Sequence, residues 1–312
     1  DNPLKYALYL ALQNNNGRNI WYLAVADPSD DTEWSNALEK IEDRTDVYGL
    51  VPLTRDNTVI GLCQGHVAAQ STEIADRWRV LWVSLSVDSE VSVLTEDDSG
   101  DPLLGTTADD PDATGTQYTL FTCDEAEFET DGVRAGDVVR YQYTTDAFGN
   151  VTYTEYVIDE VVNQNTLRLT TGTDVAEVLA RKFEIWRTRT NTELATAIGA
   201  AAGNYADRRV RAVWPDTITV GSDDVEGYFL CAALAALVSG VPPHQGLTHL
   251  EIIGFDSVPR TVDLFSRTQL DSMAEAGTWI VTQNPDGDVY TRHAVTTADY
   301  VDINAREEMV VR

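Results

Sequence analysis

Asp27-Pro28-Ser29-Asp30-Asp31 is where this sequence gathers side-chain oxygens most tightly, directly after an apolar run of strand length. Carboxylates and hydroxyls spaced this way can hold a hard divalent cation, and Thr54 and Asp56, after the next apolar run, offer two more oxygens. The same residue types also start turns and cap helices, where their side chains accept backbone N–H bonds. The four histidines, His66, His244, His249 and His293, build no motif. His244 and His249 flank a Gly turn and miss the i, i+4 placement of a zinc helix, while His66 falls in a helical pattern and His293 in a strand. Each reads as a structural hydrogen-bonding residue. Cys63, Cys123 and Cys231 are far apart and form neither a C-x-x-C pair nor a Cys/His cluster, so they read as small core residues. No phosphate loop, dinucleotide fingerprint or nucleophile elbow is present. The expectation is a protein with no catalytic, cofactor-binding or metal residues, no cofactor and no enzymatic activity.

The elements around these residues alternate. Pro3 to Gln13 has helical spacing and Asn14-Asn-Asn-Gly17 ends it. Ile20-Trp-Tyr-Leu-Ala-Val-Ala26 predicts a strand covered on both faces. Thr32 to Arg44 predicts a helix, Val47 to Leu53 a strand with Pro52 at its end, Asn57 to Asp76 a helix, and Arg79 to Leu85 a strand. Strand, helix, strand, helix, strand implies parallel pairing with right-handed crossovers.

Phe229-Leu-Cys-Ala-Ala-Leu-Ala-Ala-Leu-Val238 has no polar side and is too short to cross a bilayer, so it predicts a central core helix. Asp223 to Glu226 puts acid at its expected start, and Ser239-Gly240 with Pro242-Pro243 stops it. Phe265 to Ala276 predicts another helix. Thr278 to Gln283 and Asp288 to Thr296 predict a hairpin around Asn284-Pro-Asp-Gly287, and Arg306 to Arg312 the opening of a helix.

Between these halves the pattern changes. Asp88 to Thr116 is rich in Asp, Gly, Thr and Pro and reads as a linker or surface loop. From Tyr118 to Thr171 the signals are strand and turn, with Val138–Thr145 and Val151–Ile158 flanking Asp146-Ala-Phe-Gly-Asn150 and Thr166–Thr170 following. A helical stretch is expected from Asp174 to about Asn204, then a strand Arg209–Trp214. The predicted fold is therefore mixed α/β. A mostly parallel α/β core at 1–86 and 175–312 carries an inserted antiparallel β-barrel or sandwich at 87–174.

Composition sets further bounds. In 312 residues, 43% are hydrophobic and the formal charge is −29, which opposes binding to nucleic acid or to anionic membrane surfaces. Lys5, Lys40 and Lys182 are the only lysines, and acid is concentrated in runs such as Glu96-Asp97-Asp98. That bias resembles proteins of salt-loving organisms. The chain starts at Asp1, shows no signal peptide and no apolar span of about eighteen residues, and reads as soluble.

An ordered series carries a resemblance. Gly227-Tyr-Phe-Leu230 with its Ala-Leu helix, Ser239-Gly-Val-Pro-Pro-His-Gln245, Leu247-Thr248, Ile253-Gly-Phe255, Ala276-Gly-Thr-Trp-Ile-Val281, Gly287, Thr291-Arg-His293, Thr296-Thr297 and Arg306-Glu-Glu308 resemble the contractile tail sheath proteins of tailed viruses. Val47 to Thr54 is similar to the segment after that family's second helix. The resemblance covers about residues 1 to 86 and 205 to 312; the family's N- and C-terminal arms are not recognisable here. It implies a structural subunit that assembles with copies of itself, as hexameric rings and a helical tube, around an inner tail tube. It also implies contacts with baseplate and tail terminator proteins, a place in the virion tail after assembly in the host cytoplasm, and contraction that drives the tube through the host envelope. The alternative is a metal-dependent binding or adhesion domain, since residues 27–31 partly resemble the D-x-S-x-S loop of von Willebrand A-type domains, with Asp31 in place of the second serine.

Overall fold

The computed structural model describes residues 2–15, 17–96, 101–109, 118–145, 151–170, 178–242, 245–258 and 264–298. In chain order the elements are α1 (Pro3–Asn14), α2 (Asp31–Glu42), β1 (Gly49–Leu50), α3 (Asn57–Gln70), β2 (Val80–Ser84), β3 (Glu90–Leu94), β4 (Leu104–Asp109), β5 (Tyr118–Thr122), β6 (Val138–Thr145), β7 (Val151–Asn163), β8 (Thr166–Thr170) and β9 (Val178–Thr188). There follow α4 (Asn191–Gly203), β10 (Val210–Trp214), β11 (Thr217–Val220), β12 (Asp223–Glu226), α5 (Tyr228–Gly240), β13 (Glu251–Ile252), α6 (Arg267–Glu275), β14 (Thr278–Gln283) and β15 (Val289–His293). They form two compact units: Asp1–Val87 with Asn191–Arg312, and Asp88–Thr190.

The first unit is a six-stranded sheet in the order β1-β2-β10-β14-β15-β13, parallel from β1 to β14 and antiparallel beyond. Its central strands are apolar on both faces because helices cover both. Val80 and Trp82 of β2, Val213 of β10, and Trp279 and Val281 of β14 pack with α1 and α5. The alternate residues, Leu81, Val83, Val210, Ala212 and Ile280, pack with α2, α3, α4 and α6. α5 is buried from Phe229 to Ala236, as its uniformly apolar sequence predicts. The β14–β15 hairpin turns where expected, with Gly287 at φ +100° and the Asn284 side-chain oxygen accepting from the Asp288 amide at 2.8 Å.

The second unit is an antiparallel barrel. Strands β9-β4-β5-β8-β7-β6 pair in sequence and β6 returns to β9, closing six strands on themselves; β3 adds beside β4 on β9. Phe121, Phe128 and Phe183 fill its core in edge-on contacts. Gly105 has to be glycine, because a Cβ there would stand 2.0 Å from the Phe121 ring. Asp137, almost fully buried, is held by both Nε and Nη2 of Arg187 at 2.7 Å and accepts the Arg134 amide at 2.9 Å.

Several expectations need correction. Ile20–Ala26 joins no ladder, and Trp21, Tyr22 and Leu23 are exposed rather than covered on two faces. The long helix expected from Asp174 divides: Val178–Thr188 is β9, whose Phe183 and Ile185 alternate into the barrel, and the helix is α4 alone. Asp88–Thr116 contains β3 and β4. Asp223–Glu226 does not charge the start of α5; it is β12, paired with β11 in a separate hairpin, and Gly227 caps the helix. The helix from Asn57 stops at Gln70 instead of running to Asp76. The turn at Asp146–Asn150 and the helix at Arg306–Arg312 lie outside the described residues.

The second unit enters and leaves at one point: β3 and β9 are antiparallel, and the Arg189 amide donates to the Ser89 carbonyl at 2.8 Å. Replacing Asp88–Thr190 by a short Gly/Ser linker is therefore expected to leave the first unit folded and cooperative. The check is the near-ultraviolet circular dichroism of the buried Trp82, Trp214 and Trp279 through a thermal melt; an insoluble product or a lost aromatic signal would refute the partition.

Candidate functional site

The oxygens singled out by the sequence are used by their own backbone. The Asp27 carboxylate accepts from the Ser29 amide at 3.0 Å and the Ser29 hydroxyl at 2.7 Å, and these bonds hold it below the usual carboxylate range. Asp30 caps α2 by accepting from the Thr32 amide at 2.8 Å, and Asp31 is the first residue of that helix. Asp56 caps α3 through the amides of Val59 and Thr58, which lower its pKa, and its own amide donates to Thr54 Oγ1 at 3.1 Å. Among the described residues no trio of His, Cys, Asp or Glu is grouped to hold a metal ion. The adhesion-type metal loop thus finds no support.

Open α/β sheets bind ligands in the crevice beyond the carboxyl ends of their strands. Here chain fills that place. A Cβ on Gly227 would lie 2.3 Å from Ser84 Oγ at the end of β2 and 2.8 Å from the Pro215 carbonyl just beyond β10. The Gly227 amide donates to the Asp216 carbonyl at 2.7 Å, and Arg55 ties the base of the β11–β12 hairpin through an ion pair to Glu226 and a hydrogen bond to the same carbonyl. An open groove of about 770 Å³ runs between α4 and α6, lined by small residues such as Thr196, Gly199, Gly203, Ser272 and Thr297. None of its lining residues is ionisable, so it holds no general acid or base.

The histidines that are described sit in packed surroundings. His249 has φ +59°, stacks on Tyr290 at 5.6 Å between ring centroids, and donates its amide to the Thr291 carbonyl at 2.7 Å. His293 is half-buried in β15, where burial and Arg292 lower its pKa. His66 Nε2 meets the Arg79 guanidinium, whose Nη2 donates to the carbonyls of Ile41 at 2.6 Å, Glu42 at 3.2 Å and Arg44 at 2.9 Å. Arg79 is fully buried and closes the end of α2, where helix carbonyls lack partners and the dipole favours a cation. Sequence reading missed this latch; Arg79 at the start of an apolar strand was its one visible sign. His244 lies outside the described residues. All three thiols are buried, and burial pushes Cys63 up to about 12 and raises Cys123 and Cys231.

No family model matches the sequence, and a search of curated proteins returns no match either. A search of solved structures does. Over 99% of its length the chain is similar to 53% of a chain in the 6-fold symmetrised baseplate of the anti-feeding prophage, at 12% identity and a TM-score of 0.50. The chain has that fold. It also matches the anti-feeding prophage helical sheath in the contracted state (12% identity, 97% of this chain, 53% of that one, TM-score 0.47). A third match is the sheath tail protein of Desulfitobacterium hafniense (10% identity, 78% of this chain, 63% of that one, TM-score 0.26). The chain spans about half the length of the two anti-feeding prophage chains.

The His66–Arg79 contact generates a pH dependence. Burial first, and then Arg79, lower the His66 pKa, with Glu42 opposing. Its folded pKa therefore lies below the unfolded one, and the stability this contributes is present above the ordinary histidine value of about 6.5 and lost as pH falls through the lowered value. Thermal midpoints measured between about pH 7.5 and 5 should drop, and His66→Gln, which cannot be protonated there, should flatten the drop while His293 leaves part of it. An unchanged slope in His66→Gln would show that His66 does not titrate with folding.

Proposed function

We propose that this chain is the core of a contractile tail sheath subunit, a structural protein that polymerises in hexameric rings around an inner tail tube and shortens to drive the tube through the host envelope. The observation that carries the reading is the fold shared along 99% of the chain with a chain of the anti-feeding prophage baseplate. The ordered series from Gly227 to Arg306 adds support from the sequence. So does the site chemistry: carboxylates spent on helix caps, raised thiols and an unionisable groove suit a part that works by packing and not by catalysis. A contractile device needs two alternative packings of one subunit and no catalytic residues. In this reading the partners are copies of the chain, the tube protein, the baseplate and the tail terminator, and the place is the virion tail after assembly in the host cytoplasm. Among the described residues no helix is long and apolar enough to cross a membrane. The test is electron microscopy of the full-length protein, which is expected to form tubes or stacked rings; a monodisperse monomer under all salt conditions would overturn the reading.

Charge sets the conditions of that assembly. Copies carrying −29 repel one another across about 30 Å at 0.01 M salt, but only across roughly 3 Å at 1 M. Both the unfolding midpoint and the polymerised fraction should therefore rise steeply with KCl from about 0.05 to 3 M, as expected of a protein from a salt-loving source. A flat or falling response in both would reject the halophilic assignment.

A further inference from the structure

The exposed face of α4 is unlike the acidic surface expected of this chain. Thr192, Thr196, Ala200 and Gly203 follow one another on it at helical spacing, and none is charged, although about one residue in six of the chain is acidic. They form one wall of the groove of about 770 Å³, and α6 forms the other through Ser272 and Ala276. The two helices touch between these walls, since a Cβ on Gly199 would stand 3.0 Å from that of Ala276. Glu193, Asp207, Asp271 and Glu275 adjoin lining residues in sequence but do not line the groove. A solvated helix face carries charged or long polar side chains, whereas small side chains let another segment of chain approach closely.

The described residues end at this groove. Thr297 lines it, with its amide donating to the Val210 carbonyl at 3.1 Å and its hydroxyl to the Asp207 carbonyl at 2.8 Å. Thr296, Thr297 and Ala298 are all buried, so the chain is still inside the first unit at Ala298. Residues 299–312 follow, and six of them, Tyr300, Val301, Ile303, Met309, Val310 and Val311, are large and apolar. Ile303 and Val310 are seven apart and Ala305 and Met309 four apart, spacings that share one side of a helix. A helix of that length would measure about 21 Å, close to the roughly 20 Å of α4.

From these observations we infer that the groove between α4 and α6 is a docking seat for residues 299–312 of the same chain. Tethering selects this occupant. A segment joined to the groove through Thr297 and Ala298 is present there at an effective concentration on the order of millimolar, which a separate partner has to exceed. Chemistry agrees with position: an unionisable seat of small side chains matches apolar side chains such as Ile303, Met309 and Val310. The inference is independent of the sheath reading, because it concerns a contact within one chain and is tested on the monomer.

The experiment is disulfide trapping in the full chain, whose own three cysteines are buried. Ala200→Cys on the groove wall is combined in turn with Ile303→Cys, Met309→Cys and Val310→Cys, and the dilute monomer is mildly oxidised. At least one pair is expected to cross-link within the chain about tenfold faster than the same partners combined with Ile74→Cys, a fully exposed control. Equal rates with the control, no cross-link in any pair, or cross-links only between two chains would overturn the inference. Should the cysteine variants fail to fold, hydrogen exchange of the unaltered monomer decides. The amides of residues 303–310 should exchange about tenfold or more slower than in an unstructured peptide of the same sequence, and exchange at the peptide rate would overturn it.

Discussion

A helix without a polar face cannot end a protein; it has to be surrounded. α5 imposes that condition on the first unit, since every residue from Phe229 to Ala236 and Val238 is buried. The sheet supplies one wall through Val80, Trp82, Val213, Trp279 and Val281, and α1 supplies another through Ala7 and Leu10. Because the sheet is then covered on this side and by α2, α3, α4 and α6 on the other, its strands must be apolar on both faces. Arg211, on the α5 side of β10, is tolerated because its guanidinium lies 5.2 Å from the ring centres of both Trp82 and Trp279.

That logic explains what could be read from the sequence. Where one element's apolar pattern was long and continuous, as in α5, β2, β10 and the β14–β15 hairpin, burial left a single interpretation. It failed where composition and context disagree. Ile20–Ala26 has the composition of a covered strand, but composition reports what a segment could bury and not whether anything covers it in one copy of the chain. Val178–Thr188 begins with good helix formers, yet its Phe183 and Ile185 are two apart, and barrel closure outweighs local propensity.

The candidate metal loop was ambiguous in the sequence. Asp-Pro-Ser-Asp is equally a metal loop and a capping turn, and only coordinates show Asp27 accepting from the Ser29 amide and hydroxyl, and Asp30 and Asp56 from amides at the helix starts. The role of Arg79 was hard to read because three of its partners, the carbonyls of Ile41, Glu42 and Arg44, carry no side-chain signature. Backbone acceptors are the least readable half of any polar contact.

The adjacency of Ser89 and Arg189 also bears on the order of folding. β2 and β10 pair in parallel although about 130 residues separate them, a long loop to close. Within the barrel, three of the seven pairings join consecutive strands, β4 with β5, β6 with β7 and β7 with β8. Once the barrel has formed, the loop left for the sheet to close shrinks to a few tens of residues, lowering the entropic cost by roughly 1 kcal/mol. A structured insertion with joined ends thus shortens the loop that the β2–β10 pairing has to close.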